Sequence, residues 1–308
     1  MKRAVSISIG SSKRDKTTQI ELFGERVQIE RIGTDGDMEK AARMYGEMDG
    51  RVDAFGVGGA DLGLLVDDHW YPLYSVHPMV RFVKKTPLVD GWGLKMLLER
   101  KVAPALQEKV ADYLDRLGRK VFMVAGCDRW GMVISFDNAG YECIFGDLLF
   151  NLKIPIMLHS SRSVRRVAAI LMPLAGRLPI SWVYPIGKEQ DKRTPKGERY
   201  FDWSTVIAGD CHYITRYMPD HLEGKVIVTN TTTEEDVDLF RKAGVKYLLT
   251  TTPVVEGRSF GTNLMEAAII AACGRTEPIN YAHPGNYFKE LAQLLSALKF
   301  EPQLQELN

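Results

Sequence analysis

The chain has 308 residues, 26% of them charged, with a formal net charge of +1. That length leaves room for two domains, and the balanced charge offers none of the basic field that nucleic-acid binding draws on. Cys127, Cys143, Cys211 and Cys273 form no C-x-x-C pair, which points to a reducing cytoplasm and away from structural zinc.

In chain order, Ala4 to Ile9 alternates apolar residues with serine, a strand pattern too short and too polar for a secretory leader. No run of about 18 apolar residues is present to span a bilayer. Ser11, Ser12 and Lys13 follow the strand and offer hydroxyls and a cation to an anionic substrate, or form a solvated loop. Ile20 to Phe23 and Val27 to Ile32 flank Gly24-Glu25 as a hairpin, Asp37 to Met48 is helical, and Val52 to Val57 is a strand. The glycines from Gly56 to Gly59 read as a tight turn, because a second hairpin over 62–74 follows where a phosphate loop would need a helix. His77 to Lys85 and Leu94 to Leu117 supply helices, the second broken or restarted near Pro104. Between them, Asp90-Gly-Trp-Gly-Leu-Lys95 brings a carboxylate close to an ammonium, a candidate pair for acid/base catalysis or an ordinary ion pair.

The stretch from Lys120 to Asp147 outlines a strand, a glycine turn, a helix and a second strand ending in an acid. In dinucleotide-binding folds the turn receives a phosphate, and an acid about 20 residues on accepts from the ribose hydroxyls. Gly126, Gly131 and Asp147 fit those places, Asp128 stands where the motif has a glycine, and Arg129 can offset its charge or hold phosphate. The cofactor expected is NAD or NADP, with NAD favoured because Asp147 would repel a 2′-phosphate. The rival is a buried βαβ unit.

Further on, Arg162, Arg165 and Arg166 precede an apolar segment that continues to Trp182 and Tyr184. The span 164–185 suits a helix in a membrane interface, or one packed between domains or at a dimer contact, with packing or a homo-oligomer favoured. Residues 187–199 read as an exposed loop. Three strands follow, ending in Asp210, in Thr229-Asn230-Thr231, and in Thr251-Thr252. In an open parallel sheet such tips line a ligand crevice. Arg258, Ser259 and Asn263 add an anion-binding entry to a helix over 264–273. Asp210 and His212, taken as two apart on a strand tip, share a face and form an acid/base candidate; no spacing completes a metal site. A helix from Tyr287 to Leu298 and a tail complete the chain.

These elements predict an α/β protein: a mixed α/β substrate domain over 1–117 and a Rossmann-like parallel-sheet nucleotide-binding domain over 118–308. Val228-Thr-Asn-Thr-Thr-Thr, Asp236-x-x-x-Phe240-x-x-Ala243-Gly-Val245 and the glycine-rich entry to the late helix resemble the shikimate and quinate 5-dehydrogenase-like family over about half the chain. The resemblance implies NAD(P)-dependent oxidation of a cyclic hydroxy acid. The family's Asn-Val-Thr-x-Pro-x-Lys segment is absent here, and Lys95 with Asp90 is the nearest substitute. Two alternatives stand beside it: a transferase or lyase acting on a nucleotide-linked or phosphorylated substrate, and a non-catalytic ligand-binding or membrane-associated protein.

Overall fold

The computed structural model describes residues 1–178, 193–252, 254–255 and 258–308, with the backbone alone for 254–255 and 258–259. It divides into two compact units. Unit 1 takes residues 1–97, 174–178 and the described part of 253–300; unit 2 takes 98–173, the described part of 179–252, and 301–308.

The chain opens with β1 (Lys2–Ser8) and the hairpin β2 (Lys16–Leu22) and β3 (Glu25–Gly33), then α1 (Met38–Met48) and β4 (Ala54–Gly58). A second hairpin, β5 (Gly63–Val66) and β6 (His69–Pro72), precedes β7 (Leu88–Val89) and α2 (Trp92–Glu99). Where a helix was expected over 77–85 there is only a 3-10 turn, His77–Val80. The chain beyond it is held open because the Asp49 carboxylate accepts from the backbone N–H groups of Lys84, Lys85 and Thr86.

Next come α3 (Val102–Leu117), β8 (Lys120–Met123), α4 (Trp130–Asn138), β9 (Glu142–Phe145), α5 (Asp147–Leu152) and α6 (Ser161–Ala175). The break between α2 and α3 precedes Pro104, which sits in the first turn of α3, where a missing N–H costs nothing. After them run α7 (Glu198–Trp203), β10 (Val206–Ala208), α8 (Cys211–Tyr217), β11 (Val226–Thr229), α9 (Glu234–Lys242) and β12 (Tyr247–Thr250). α9 starts on a reciprocal capping box: Thr233 accepts from Asp236 N–H, and the Asp236 carboxylate accepts from Thr233 N–H. A two-residue ladder, β13 (Val254–Val255) with β14 (Arg258–Ser259), leads to α10 (Thr262–Ala272), α11 (Tyr287–Ala297) and β15 (Gln303–Glu306). The expected tail is thus a strand, antiparallel to β12, which covers the edge that β12 would otherwise leave open.

The α/β class holds in both units. In unit 1 the sheet order is β2-β3-β1-β4-β7, with β3, β1, β4 and β7 parallel. α10 packs on β1, β3 and β4, and nearly every residue in it is buried, as its Leu-Met-Glu-Ala-Ala-Ile-Ile-Ala-Ala sequence requires. That requirement also moves the domain boundary: a helix apolar on all sides must be covered, so the chain returns to unit 1 after residue 252 instead of staying in one body from 118 to 308. In unit 2 the order is β9-β8-β10-β11-β12-β15, parallel except for β15. Phe122, Phe201, Ile207, Ile227, Phe240 and Leu248 form its core, each apolar side chain contributing about 1.5–3 kcal/mol on full burial. From β8 the chain moves one way to β9 and the other way to β10, so the switch point where such sheets bind ligands lies at the carboxyl ends of β8 and β10.

Candidate functional site

In unit 1, Asp61 lies just past β4, Asp90 just past β7, and Lys95 in the first turn of α2. The sequence pairs Lys95 with Asp90; the fold pairs it with Asp61, whose Oδ2 is 3.6 Å from the ammonium. Asp90 is spent on backbone: Oδ2 accepts from Leu62 N–H at 2.8 Å and Oδ1 from Trp92 N–H at 3.0 Å. The second bond satisfies one of the open donors at the start of α2. Gly91 makes this turn feasible, because its φ is +89° and a Cβ there would run into the backbone of Thr262 and Asn263.

Glu266, fully buried on α10, accepts from Leu94 N–H at 2.9 Å and from the hydroxyls of Tyr281 and Tyr287. Burial pushes the Asp90 carboxyl up to about 7, helped by the charges of Asp61 and Glu266 and opposed by its two backbone donors. Lys95 is 7% exposed and its ammonium lies 4.6 Å from the centre of the Trp92 ring. The Trp92 indole N–H is buried with no hydrogen-bond partner among the described residues. Such an orphan costs about 1–3 kcal/mol, so a donor left open beside a buried Lys–Asp pair is a place for a substrate oxygen. An acid poised near neutrality in the same cluster fits proton transfer.

The other residues expected to bind substrate are placed differently. Ser11, Ser12 and Lys13 are exposed in a 3-10 turn, where the Ser11 hydroxyl accepts from Lys13 N–H and the Asp35 carboxylate accepts from Ser12 N–H. Asn263 donates to the Ser6 hydroxyl at 2.6 Å and so ties α10 to β1. Arg258 and Ser259 have described backbone in β14, and their side chains fall outside the described atoms.

In unit 2 the strand tips do share one edge, as predicted, but they are occupied by one another. Arg129 is 6% exposed; it donates to Glu99 at 2.9 Å and to Asp210, and lies 3.5 Å from Asp128. Burial opposes its charge, yet Asp210, Glu99 and Asp128 outweigh it and hold the guanidinium above its ordinary value. Asp210 accepts from the Asn230 amide at 2.9 Å, and Asn230 Oδ1 accepts from Cys211 N–H at 3.0 Å. Thr229 donates to the Gly209 carbonyl, Thr251 N–H to the Thr229 carbonyl, and the hydroxyls of Thr231 and Thr252 meet at 2.6 Å.

Asp210 and His212 do not share a strand face. Cys211–Tyr217 is a helix, Asp210 caps it by accepting from His212 N–H at 2.9 Å, and the His212 side chain is exposed.

The glycine turn differs most from its expected role. Asp147 is 6% exposed, and its carboxylate accepts from Gly126 N–H at 3.0 Å and from Cys127 N–H at 2.8 Å. Burial raises the Asp147 carboxyl to about 6 against the lowering effect of those donors. The donors expected to meet a phosphate therefore hold the acid that was expected to meet a ribose. Gly126 is needed for packing, since a Cβ would lie 2.9 Å from the Phe145 ring and 3.1 Å from Val133. Gly131 is buried in the first turn of α4. With Asp128, Asp210 and Glu99 around one guanidinium, a dinucleotide diphosphate does not fit this turn as it stands.

Glu99, Asp61 and Glu266 escaped the sequence reading, because each meets its partner across a long sequence gap. The one available signal was Asp61, which closely follows the Gly56–Gly59 cluster at a strand end. Among the described residues no group of three or more His, Cys, Asp or Glu side chains is placed to hold a metal ion, and no helix is long and apolar enough to cross a membrane.

The chain belongs to the family described as "Domain of unknown function (DUF8754)", which matches residues 93–307. Residues 3–90 match a second description, "Domain of unknown function (DUF8753)". No curated protein matches the chain. Among solved structures it is similar to a Mycobacterium smegmatis crystal structure at 11% identity and TM-score 0.36, covering 97% of each chain. A second from Mycobacterium smegmatis, in complex with beta-D-fucofuranose, matches at 10% identity and TM-score 0.34 over 100% of both chains. A structure described as "a putative malic enzyme (malate oxidoreductase)" matches at 12% identity and TM-score 0.37, covering 85% of this chain and 65% of that one.

Proposed function

We propose that the chain is an oxidoreductase whose unit 1 handles the hydroxyl proton of a small cyclic hydroxy acid of the quinate or shikimate type. The observation that carries this reading is the buried Lys95 ammonium, 3.6 Å from Asp61 and beside the unpartnered Trp92 N–H. In the oxidation direction Lys95 carries the hydroxyl proton, and Asp61 holds its ammonium form in place. Trp92 N–H donates to a substrate oxygen, and Asp90, near 7, holds or releases the second proton of the cluster. A nicotinamide dinucleotide, NAD before NADP, would supply the hydride acceptor for this reading. Asp147 and its neighbours do not match a diphosphate, so the proton half of the reaction is what this chain's own groups account for.

One observation favours a second reading. The proton-handling cluster is complete while the glycine turn is filled by Asp147, which suits a lyase that eliminates water without a hydride carrier. The substrate would then include the phosphorylated or nucleotide-linked compounds of the alternative reading.

Thermal denaturation with NAD, NADP, quinate and shikimate tests both. A ligand at a hundredfold its dissociation constant adds about 2.7 kcal/mol to the folded state. Stabilisation by NAD, with turnover that Lys95→Met abolishes, supports the oxidoreductase. No response to either dinucleotide, with solvent proton exchange into a bound hydroxy acid, moves the assignment to the lyase.

A further inference from the structure

From Leu148 to Lys188 the sequence holds no Asp or Glu but six Lys or Arg, in a chain whose 39 acids and 40 bases otherwise balance. The same stretch leaves apolar surface uncovered. Leu152, Ile154 and Ile156 after the start of α5, with Ile170, Leu174 and Leu178 on and beyond α6, are six of the eleven large hydrophobic residues exposed among the described residues.

On α6 the two features share one stripe. Arg162, Arg166, Ile170 and Leu174 recur every four residues, so they follow one another along one side of the helix. All four are exposed, Ile170 by 70% and Leu174 by 69%, while Val164 and Ala168 are buried. A single exposed leucine needs no explanation; an apolar stripe joined to cations, with no anion in the whole stretch, does.

We infer that α6 docks this protein on an anionic lipid bilayer. Arg162 and Arg166 meet the headgroups, and Ile170 and Leu174 enter the boundary with the acyl chains. Charge complementarity selects this occupant. A second copy laid antiparallel on the same face would set Arg162 and Arg166 against Leu174 and Ile170, covering the cations with apolar side chains and with no acid in the stretch to pair them. The helix is 15 residues long, short of a span, so it lies on the surface and does not cross. Trp182 and Tyr184, expected at the far end of this segment, lie outside the described residues.

Sedimentation of the full chain with vesicles of equal parts phosphatidylglycerol and phosphatidylcholine, against phosphatidylcholine alone, tests the inference. The protein is expected in the pellet with the anionic vesicles only, and to leave it as salt is raised. Arg162→Gln with Arg166→Gln is expected to weaken binding roughly thirtyfold, and Ile170→Ser with Leu174→Ser about tenfold or more, with melting temperatures unchanged. Absence from the anionic vesicles, equal binding to both, or indifference to both double variants would overturn it. So would a concentration-dependent dimer that Ile170→Ser with Leu174→Ser dissolves, which would assign the face to a second copy.

Discussion

Both units place polar side chains past the carboxyl ends of parallel strands, yet they use them in opposite ways. Past β4 and β7, Lys95 faces Asp61 at 3.6 Å, Asp90 rests near 7, and the Trp92 N–H has no partner among the described residues. Past β8 and β10, Arg129 is shared among Glu99, Asp210 and Asp128, and the turn donors close on Asp147. Topology brings such groups to the strand ends in both sheets; whether they do chemistry depends on how much bonding capacity is left over. Unit 1 leaves the Trp92 N–H open beside an ion pair; unit 2 has committed its carboxylates to structure, and there the Trp130 indole N–H and Arg129 Nε are the buried donors left without a hydrogen-bond partner among the described residues.

The sharpest way to break this contrast is Lys95→Met. It should lower turnover by about 10²–10⁴-fold, because it removes a proton carrier, at a smaller stability cost than a break at Arg129, because the Asp61 carboxylate it leaves behind still reaches water. Arg129→Met should do the reverse. Leaving buried Glu99 without its guanidinium costs about 3–5 kcal/mol, read as a fall in the urea midpoint. A turnover defect in Arg129→Met without loss of stability would put chemistry back at the β8–β10 switch point.

A pH titration sharpens the comparison. Asp90 and Asp147 both have folded values raised above the ordinary carboxyl value, to about 7 and about 6. Each therefore contributes stability that is full below about pH 4 and is lost as pH rises through its folded value. Asp147→Asn should flatten the loss up to about pH 6, and Asp90→Asn the loss up to about pH 7, each in urea titrations across that range. Both variants sacrifice one backbone N–H contact, so the slope and not the absolute stability is the readout. At the small end, His212→Ala should change stability by no more than about 0.5 kcal/mol and leave turnover unaltered, since the side chain is exposed on α8.

Periodicity and punctuation made most of the elements legible. Ala4 to Ile9, the Gly24 hairpin and the strand, turn, helix and strand from Lys120 to Asp147 lie where local pattern places them, because backbone preference and apolar alternation act over a few residues. The departures arise where a distant partner overrides local pattern. Asp49 unwinds 84–86 from across the fold, and Asp210 turns a supposed strand tip into a helix cap. The candidate site was half legible: Lys95 stood out near a glycine turn, but its partner came from position 61, and Glu266 reached α2 from 172 residues away. In unit 2 the right residues were named for the wrong reason. Gly126 and Asp147 are coupled as the spacing suggests, but to each other.

The return of α10 to the first sheet also sets an order of events during synthesis. β1, β3 and β4 leave the ribosome early, but the helix that packs on them, Thr262–Ala272, comes after the strands of the other sheet. At ordinary elongation rates the delay is on the order of ten to forty seconds. Through that interval the first strands lack the helix that covers their apolar side chains, so the first unit is completed only after the strands of the second have been made.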